Sequence, residues 1–524
     1  MCLIFLHWVL SKLMKNTIDR IKGENILLVN FCGMTPHLET SLEIARRLSD
    51  FNQVSYIHLG NNIPRPTLFS SNYLKRKFQL RLRIERAMRY LEKYVDKKSK
   101  FSWINPKSIV YRTDKLFRGI SKRDLKPKIE TLDDLKNLKY KEFDIGIGIA
   151  STLISYLRDS NPFPLNSKAK TEFHAQHVSS IKSIIFAELL LDLPAKYDSI
   201  VLFNGRYTCE NAFKQVALFR NLKIYYYERG YDFKRFFFEN YMPHDLTKRK
   251  EEMELLNHFF PAEEINSIGS NFYARKASGD GVYERSYVSH QLTKLSDELT
   301  SEIKIQRKRN AKIISFFTSS DDEYKFIDAN STRYPYWGNQ ILAIRTISSI
   351  IKSLGFYLIV RVHPHINQKS KNEQNRWHLA SKSIVNQGFS WISPNNLEST
   401  YQLVRESDLV ISSGSTVGIE AIALGKPSIV INECFYDGPT SSVKLCESPE
   451  LLKECLIDQL TYEPPSPSNA YIYATWVMFY GTLFKYYFPT AIEHGLMEDK
   501  IRIASAGTFQ KIISKYKKII KLSN

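Results

Sequence analysis

Two stretches of the chain carry side chains whose types and spacing suit chemistry on a phosphorylated substrate. In the second half, the apolar run 356–362 leads into His363-Pro364-His365. A second run, 408–412, leads into Ser412-Ser413-Gly414-Ser415-Thr416 and then the helical pattern VGIEAIALGKP. A loop of Ser, Gly and Thr that opens a helix offers backbone N–H groups and hydroxyls at the positive helix end, which suits a phosphate. Glu420, one turn inside that helix, is placed to reach a ribose hydroxyl. His363, at a strand end, is placed to donate a hydrogen bond to the same phosphate as charge builds on the leaving group. For any single serine of the loop, structural capping is the competing reading.

The first half offers a second constellation. The run 199–203 ends in Asn204-Gly205-Arg206, and the run 222–227 ends in Glu228-Arg229-Gly230. Transfer of a group onto a hydroxyl needs a carboxylate or histidine to take the proton, and Glu228 is the candidate. Arg206 and Arg229 are candidates for holding an anionic acceptor or a donor carboxylate through bidentate contacts. A surface ion pair at a turn is the alternative for Glu228 and Arg229. Residues 33–37 also follow a strand pattern; either His37 shapes an acceptor pocket or it caps the next helix, and Glu39 is a second candidate base. Asp321-Asp322-Glu323 would suit a hard cation, or simply begin a helix, where acids are favoured.

The stretch 312–437 resembles the donor-binding half of bacterial capsule polysaccharide biosynthesis proteins. That group of GT-B glycosyltransferases includes sialyltransferase-like and Kdo-transferase-like enzymes. The resemblance rests on FFTSSDDE (316–323), the helix that carries Gln340, VRVHP (360–364) and SDLVISSGSTVGIEAIALGKPSIV (407–430). It implies that His363 and Ser412 to Thr416 hold the nucleotide and its phosphate, with Ser319 and Ser320 on the donor side. The Asn204-Gly205-Arg206 and Glu228-Arg229-Gly230 segments are similar to segments of the same group, whose acidic residue is implicated as base. The resemblance further implies a transfer that needs no metal; an inverting transfer, with no cofactor beyond the nucleotide-sugar co-substrate, is the expectation.

Such residues need strands to hold them. The pattern of 25–32, 38–48 and 54–59 is strand, helix, strand, which means a parallel sheet. Residues 73–100 are densely basic and helical in pattern, and read as an insertion or a solvated helical hairpin more than as core. Further strands are expected at 144–150 (DIGIGIA), 199–203 and 222–227. The second half restarts the rhythm, with strands at 312–318, 356–362, 408–412 and 428–432. Helices are expected at 339–354, 400–406 and 417–424, with Gly355 and Gly425 as terminators. The aromatic segment 471–488 is expected to be helical and to pack back across both domains. The expected fold is α/β and GT-B-like: two Rossmann-like doubly wound domains facing a central cleft, with C-terminal helices packing back. The divisions are an apolar extension 1–24, an acceptor-side domain 25–305, a nucleotide-sugar domain 306–465 and C-terminal helices 466–524.

The 524 residues, 43% of them hydrophobic, are enough for two cores. The net charge of +20 favours anionic partners, or else marks a lysine-rich solvated surface. The charge is dispersed, without a basic–aromatic recognition motif, so a nucleic-acid partner is not expected. Six cysteines lack CxxC spacing, which fits a reducing compartment better than a disulfide framework or zinc site. Residues 1–14 are apolar but too short to span a bilayer; they are an interfacial anchor or an over-extended start. The last helix pattern, FQKIISKYKKIIKLSN, suits either an anionic membrane surface or docking on the protein. A cytoplasmic enzyme, peripheral on the inner face of the plasma membrane, is the expectation. Its partners would be a nucleotide-sugar, CMP-activated among the options, and a surface polysaccharide or lipid-linked glycan acceptor. The alternatives are a nucleotide-sugar epimerase, a polyol-phosphate transferase, and an inactive scaffold of a capsule assembly complex.

Overall fold

The computed structural model describes residues 17–60, 73–94, 101–230, 233–278, 294–323, 325–326, 335–491 and 494–503. The apolar extension 1–14, the glycine-rich turn 279–281 and the basic tail after residue 508 lie outside them. The chain divides into two compact units. One comprises Met1–Leu153, Phe163–Pro243 and Tyr480–Asn524, the other Ile154–Pro162 and His244–Phe479.

The first unit begins with α1 (Thr17–Arg20), β1 (Asn25–Asn30), α2 (His37–Leu48) and β2 (Gln53–His58). β1 and β2 pair in parallel, and all but the first residue of each is buried. Burial on both faces is why they read as continuous apolar runs. Next come α3 (Tyr73–Tyr94), β3 (Phe101–Trp103), α4 (Lys107–Arg118), α5 (Lys122–Leu125) and α6 (Leu132–Lys136). A small hairpin, β4 (Lys139–Tyr140) with β5 (Phe143–Asp144), precedes α7 (Gly146–Leu157) and α8 (Ser167–Leu191). β6 (Ser199–Phe203), α9 (Thr208–Phe219), β7 (Lys223–Arg229) and β8 (Arg235–Glu239) follow. The strands lie in the order β8-β7-β6-β1-β2-β3, parallel except for β8. The order reverses between β1 and β6, and the crevice outside the carboxyl ends at such a reversal is where open α/β sheets take ligands.

The segment DIGIGIA is not the strand that its alternation suggested. From Gly146 it is the start of α7, and a short apolar run does not separate buried strand from buried helix. Its glycines serve close packing instead. A Cβ on Gly146 would lie 1.9 Å from the Leu135 carbonyl oxygen, and one on Gly148 2.6 Å from Asn211. Thr152 Oγ1 donates to the Gly148 carbonyl at 2.9 Å and accepts the Thr208 N–H at 2.9 Å, locking α7 onto α9.

The second unit starts with α10 (Leu246–Phe259), α11 (Ala262–Ala277) and α12 (Asp297–Lys308). The expected boundary at 305/306 therefore lies inside this unit. The polar composition of 245–310 puts a boundary near its end, yet Met253, Leu256, Ile265, Tyr273, Leu299 and Ile303 are buried. Then come β9 (Ile313–Phe317), α13 (Gln340–Ser353), β10 (Tyr357–Arg361), α14 (Lys371–Val385) and β11 (Ser390–Ile392). They are followed by α15 (Thr400–Glu406), β12 (Leu409–Ser412), α16 (Val417–Ala423), β13 (Ser428–Val430), β14 (Val443–Leu445), α17 (Pro449–Thr461) and α18 (Tyr471–Phe479). The sheet order is β11-β10-β9-β12-β13-β14, parallel throughout, with its reversal between β9 and β12. Gly355 (φ +71°) and Gly425 (φ +69°) follow the C-caps of α13 and α16, in the left-handed conformation that ends a helix without a Cβ clash.

Only part of the expected helical segment 471–488 is helix. After α18 the chain returns to the first unit as β15 (Thr482–Leu483), β16 (Tyr487–Ala491) and β17 (His494–Met497). β15 pairs antiparallel with β8 as a seventh strand. Gly481 takes φ +92°, where a Cβ would sit 2.7 Å from the Phe236 carbonyl oxygen. The return is seated by Glu43 of α2, fully buried, whose carboxylate accepts the N–H groups of Lys485 (2.8 Å), Tyr486 (2.7 Å) and Tyr487 (2.9 Å). Among the described residues no helix is long and apolar enough to cross a membrane.

Candidate functional site

In the second unit three neighbouring strands end level with one another. Arg361 of β10 and Ser412 of β12 both pair with Phe317 of β9. The segments that follow, Val362–His363, Thr318–Ser320 and Ser413–Thr416, therefore leave the same sheet edge at the reversal point. Adjacent strands are about 4.8 Å apart. Hydrogen bonds join them: the His363 N–H donates to Thr318 Oγ1 at 2.7 Å, and Ser413 N–H to the Phe317 carbonyl at 3.2 Å. Gln340, the first residue of α13 and 2% exposed, ties two of the turns. Its Oε1 accepts the Ser319 N–H (2.8 Å) and the Ser413 hydroxyl (2.6 Å), while its Nε2 donates to the Ser319 carbonyl (3.0 Å).

The Ser412–Thr416 turn is held from inside. Gly414 takes φ +83°. The Ser415 carbonyl accepts the Tyr436 hydroxyl and the Gly418 N–H (2.9 Å), with Ser412 Oγ at 3.5 Å. A Cβ on Gly418 would meet both Ser412 Oγ and Tyr436 OH at 2.9 Å, so this crossing needs glycine. Ser412 and Ser413 are buried supports, whereas Gly414, Ser415 and Thr416 are the partly exposed face of the turn.

His363 Nδ1 accepts the His365 N–H at 3.2 Å. Burial, reinforced by the Lys369 ammonium and against the pull of Asp322, lowers its pKa to about 4. The imidazole is thus neutral at pH 7, and with Nδ1 accepting, the proton belongs on Nε2. Ser320 donates to Asp322 Oδ1 (2.9 Å) and accepts from Lys369 Nζ (2.8 Å), and Lys369 ion-pairs with Asp322 in a largely buried cluster. Glu420 ion-pairs with Lys276 of α11 at 2.7 Å. Arg361, at the end of β10 and 5% exposed, has its Nη1 without a hydrogen-bond partner among the described residues. Burial lowers its pKa to about 10 against the attraction of Glu398. Arg361, Lys369 and Tyr436 were not singled out from sequence. Arg361 lay inside the quoted VRVHP, but nothing in a strand pattern distinguishes a buried arginine from an edge one.

In the first unit the ends of β1, β6 and β7 are likewise adjacent, with Val29 opposite Leu202 and Phe203 opposite Tyr227. Asn204 (φ +52°) and Gly205 (φ +85°) turn the chain after β6. Asn204 Nδ2 donates to Glu228 Oε2 at 2.6 Å, and the Arg229 N–H donates to Glu228 Oε1 at 2.9 Å. Glu228 is partly exposed and Arg229 exposed. The His37 ring packs edge-on to Phe203, with centroids 4.5 Å apart, and burial lowers its pKa. Arg206 is 6% exposed, stacks over Tyr207 and donates to its hydroxyl at 2.8 Å. Glu39 accepts from Thr35 Oγ1 at 2.9 Å, and burial raises its carboxyl. Glu210, on the first turn of α9, was missed. It is 2% exposed, and burial with the nearby Glu228 carboxylate pushes it up to about 8.

No protein-family model matches the chain, and no curated protein matches it. Solved structures similar to it include Kdo transferases, one of the groups named by the sequence resemblance. KpsC of Thermosulfurimonas dismutans, a beta Kdo 2,4 transferase, is 13% identical over 54% of this chain and 80% of its own, with a TM-score of 0.33. The UDP-GlcNAc 2-epimerase of Methanocaldococcus jannaschii, solved with UDP-GlcNAc and UDP, is 12% identical over 86% and 98%, with a TM-score of 0.27. CalG4, the calicheamicin glycosyltransferase, is 10% identical over 86% and 93%, with a TM-score of 0.21. At these scores the likenesses carry no argument about chemistry; the pair of doubly wound units stands on its own strand orders.

Proposed function

We propose that the chain is a glycosyltransferase that moves a sugar from a nucleotide-activated donor onto a surface polysaccharide or lipid-linked glycan. It would work at the cytoplasmic membrane face, without a metal or a cofactor beyond the nucleotide-sugar. The observation that carries this reading is the convergence of the Thr318–Ser320, His363 and Gly414–Thr416 segments on one sheet edge, tied by Gln340. As the bond from the anomeric carbon to the phosphate oxygen breaks, the leaving phosphate gains negative charge. The Nε2–H of a neutral His363 and the amides of the Gly414–Thr416 turn are donors suited to it. The acceptor hydroxyl must give up its proton as its oxygen bonds to the anomeric carbon with inversion, and Glu228 is the candidate base. The ion pair of Asp322 with Lys369 supports a transfer in which this carboxylate holds no metal.

The test is a melting-temperature panel of CMP, UDP, GDP and CDP compounds. A ligand that binds only the folded state adds about 2.7 kcal/mol at a hundredfold excess over its Kd. One nucleotide series is expected to raise the melting point, and none doing so would end the reading. His363→Ala is expected to lower turnover by about 100-fold or more with an unchanged melting curve. Sugar turnover with no glycan acceptor present would move the assignment to an epimerase.

A further inference from the structure

Helix α4 buries Ile109 and Thr113 in the first unit and leaves its other side open. On that side Lys107, Tyr111, Lys115 and Arg118 follow at i, i+4, i+8 and i+11; Arg112 and, one turn on, Leu116 stand at the flank of this stripe, between it and the buried side. Tyr111 is 72% exposed and Leu116 53%. From 107 through α5 to 128 the chain holds eight basic and two acidic side chains, and all eight basic ones are exposed. Lys128 is offset by Glu130 at 2.8 Å, and the two acids within the stretch are already engaged. Asp114 ion-pairs at 2.7 Å with Lys182 of α8, whose ammonium also lies over the Phe117 ring. Asp124 accepts the Ser121 hydroxyl at 2.8 Å on the capped first turn of α5.

A face that only needs water carries charge but has no use for a tyrosine and a leucine standing out of it. Apolar side chains framed by lysine and arginine instead match a bilayer boundary, where rings and aliphatic chains enter between acidic headgroups. We propose that α4 and α5 form a docking surface for an anionic lipid bilayer. This surface is distinct from the strand-end sites and does not depend on the transferase reading. It is also distinct from the basic tail after residue 508.

The experiment is co-sedimentation of the full chain with vesicles of equal parts phosphatidylglycerol and phosphatidylcholine, and with phosphatidylcholine alone, at about 0.1 M salt. Binding is expected to the anionic vesicles only. The triple variant Lys107→Ala, Lys115→Ala, Arg118→Ala is expected to bind about 100-fold more weakly, at roughly fivefold per charge. The double variant Tyr111→Ser, Leu116→Ser, with its charge intact, is expected to bind several-fold more weakly. Both should keep the wild-type melting curve, since every altered side chain is exposed. Wild-type binding by the triple variant overturns the proposal and hands vesicle binding to another part of the chain. Wild-type binding by the double variant, or release of the wild type from vesicles by inorganic phosphate or a single-stranded oligonucleotide, also overturns it. The surface would then read charge and not lipid.

Discussion

Glu210 shows what a single side chain undergoes when the sheet closes around it. Its carboxyl sits among Cys32, Cys209, Tyr207, Tyr227 and Glu228, and its Oε2 has no hydrogen-bond partner among the described residues. Burial is the main cause of its rise to about 8. A carboxyl raised in the folded state binds more protons folded than unfolded. Its contribution to stability is therefore lost as pH climbs from the usual carboxylate range toward 8, at up to about 1.4 kcal/mol per pH unit. Glu210→Gln removes that loss. The variant is expected to gain melting temperature relative to wild type as the pH is raised across that window, and a difference flat with pH would refute the assignment. From sequence Glu210 was an ordinary first-turn acid, where carboxylates are common. The strand-end positions of His363 and Ser413 were legible because each directly follows a recognisable apolar run, whereas Glu228, expected just after a strand, lies inside β7 because β8 pairs with it. Arg361, Lys369 and Glu210 were not legible, because burial is made by neighbours remote in the chain.

At the scale of elements, the parallel strands were legible where burial on both faces makes them mostly apolar, as in β1, β6, β9 and β10. The misreadings share a cause: a short segment's own pattern was overruled by what it packs against. Gly146 and Gly148 belong to a helix because α7 must approach Leu135 and Asn211 closely. Residues after Phe479 leave the helix because the edge of β8 and the carboxylate of Glu43 supply partners for an extended chain. Glu43 therefore acts as an anchor for the whole return segment. Glu43→Ala leaves three N–H groups without their acceptor and is expected to cost about 2–4 kcal/mol. Trypsin cleavage at Lys485 should become faster while the second unit's nucleotide response persists. An unchanged cleavage rate would mean that β15 to β17 hold without this anchor.

Over the whole molecule, the chain passes between the two units four times, and this was not legible from composition. The end of the polar stretch 245–310 reads as a boundary because its helices bury few residues each. Residues 154–162 sat unremarked inside the first half. That short segment is nevertheless sewn into the second unit. Asp159, 3% exposed, ion-pairs with Arg376 of α14 and accepts the Ser370 hydroxyl at 2.6 Å. The Ser370 N–H donates to the Arg158 carbonyl (3.0 Å), and Ser160 donates to Glu373 through both its N–H (3.1 Å) and its hydroxyl (2.8 Å). Arg376 is about one-third open to solvent and keeps Glu373, so Asp159→Ala is expected to cost about 2 kcal/mol, less than breaking a fully buried pair. The loss belongs to the second unit although residue 159 lies in the first third of the sequence. Hydrogen exchange in Asp159→Ala should accelerate along α14 and stay at wild-type rates in β1 and β6 of the first unit. Acceleration confined to β1 and β6 would assign residues 154–162 to the first unit instead.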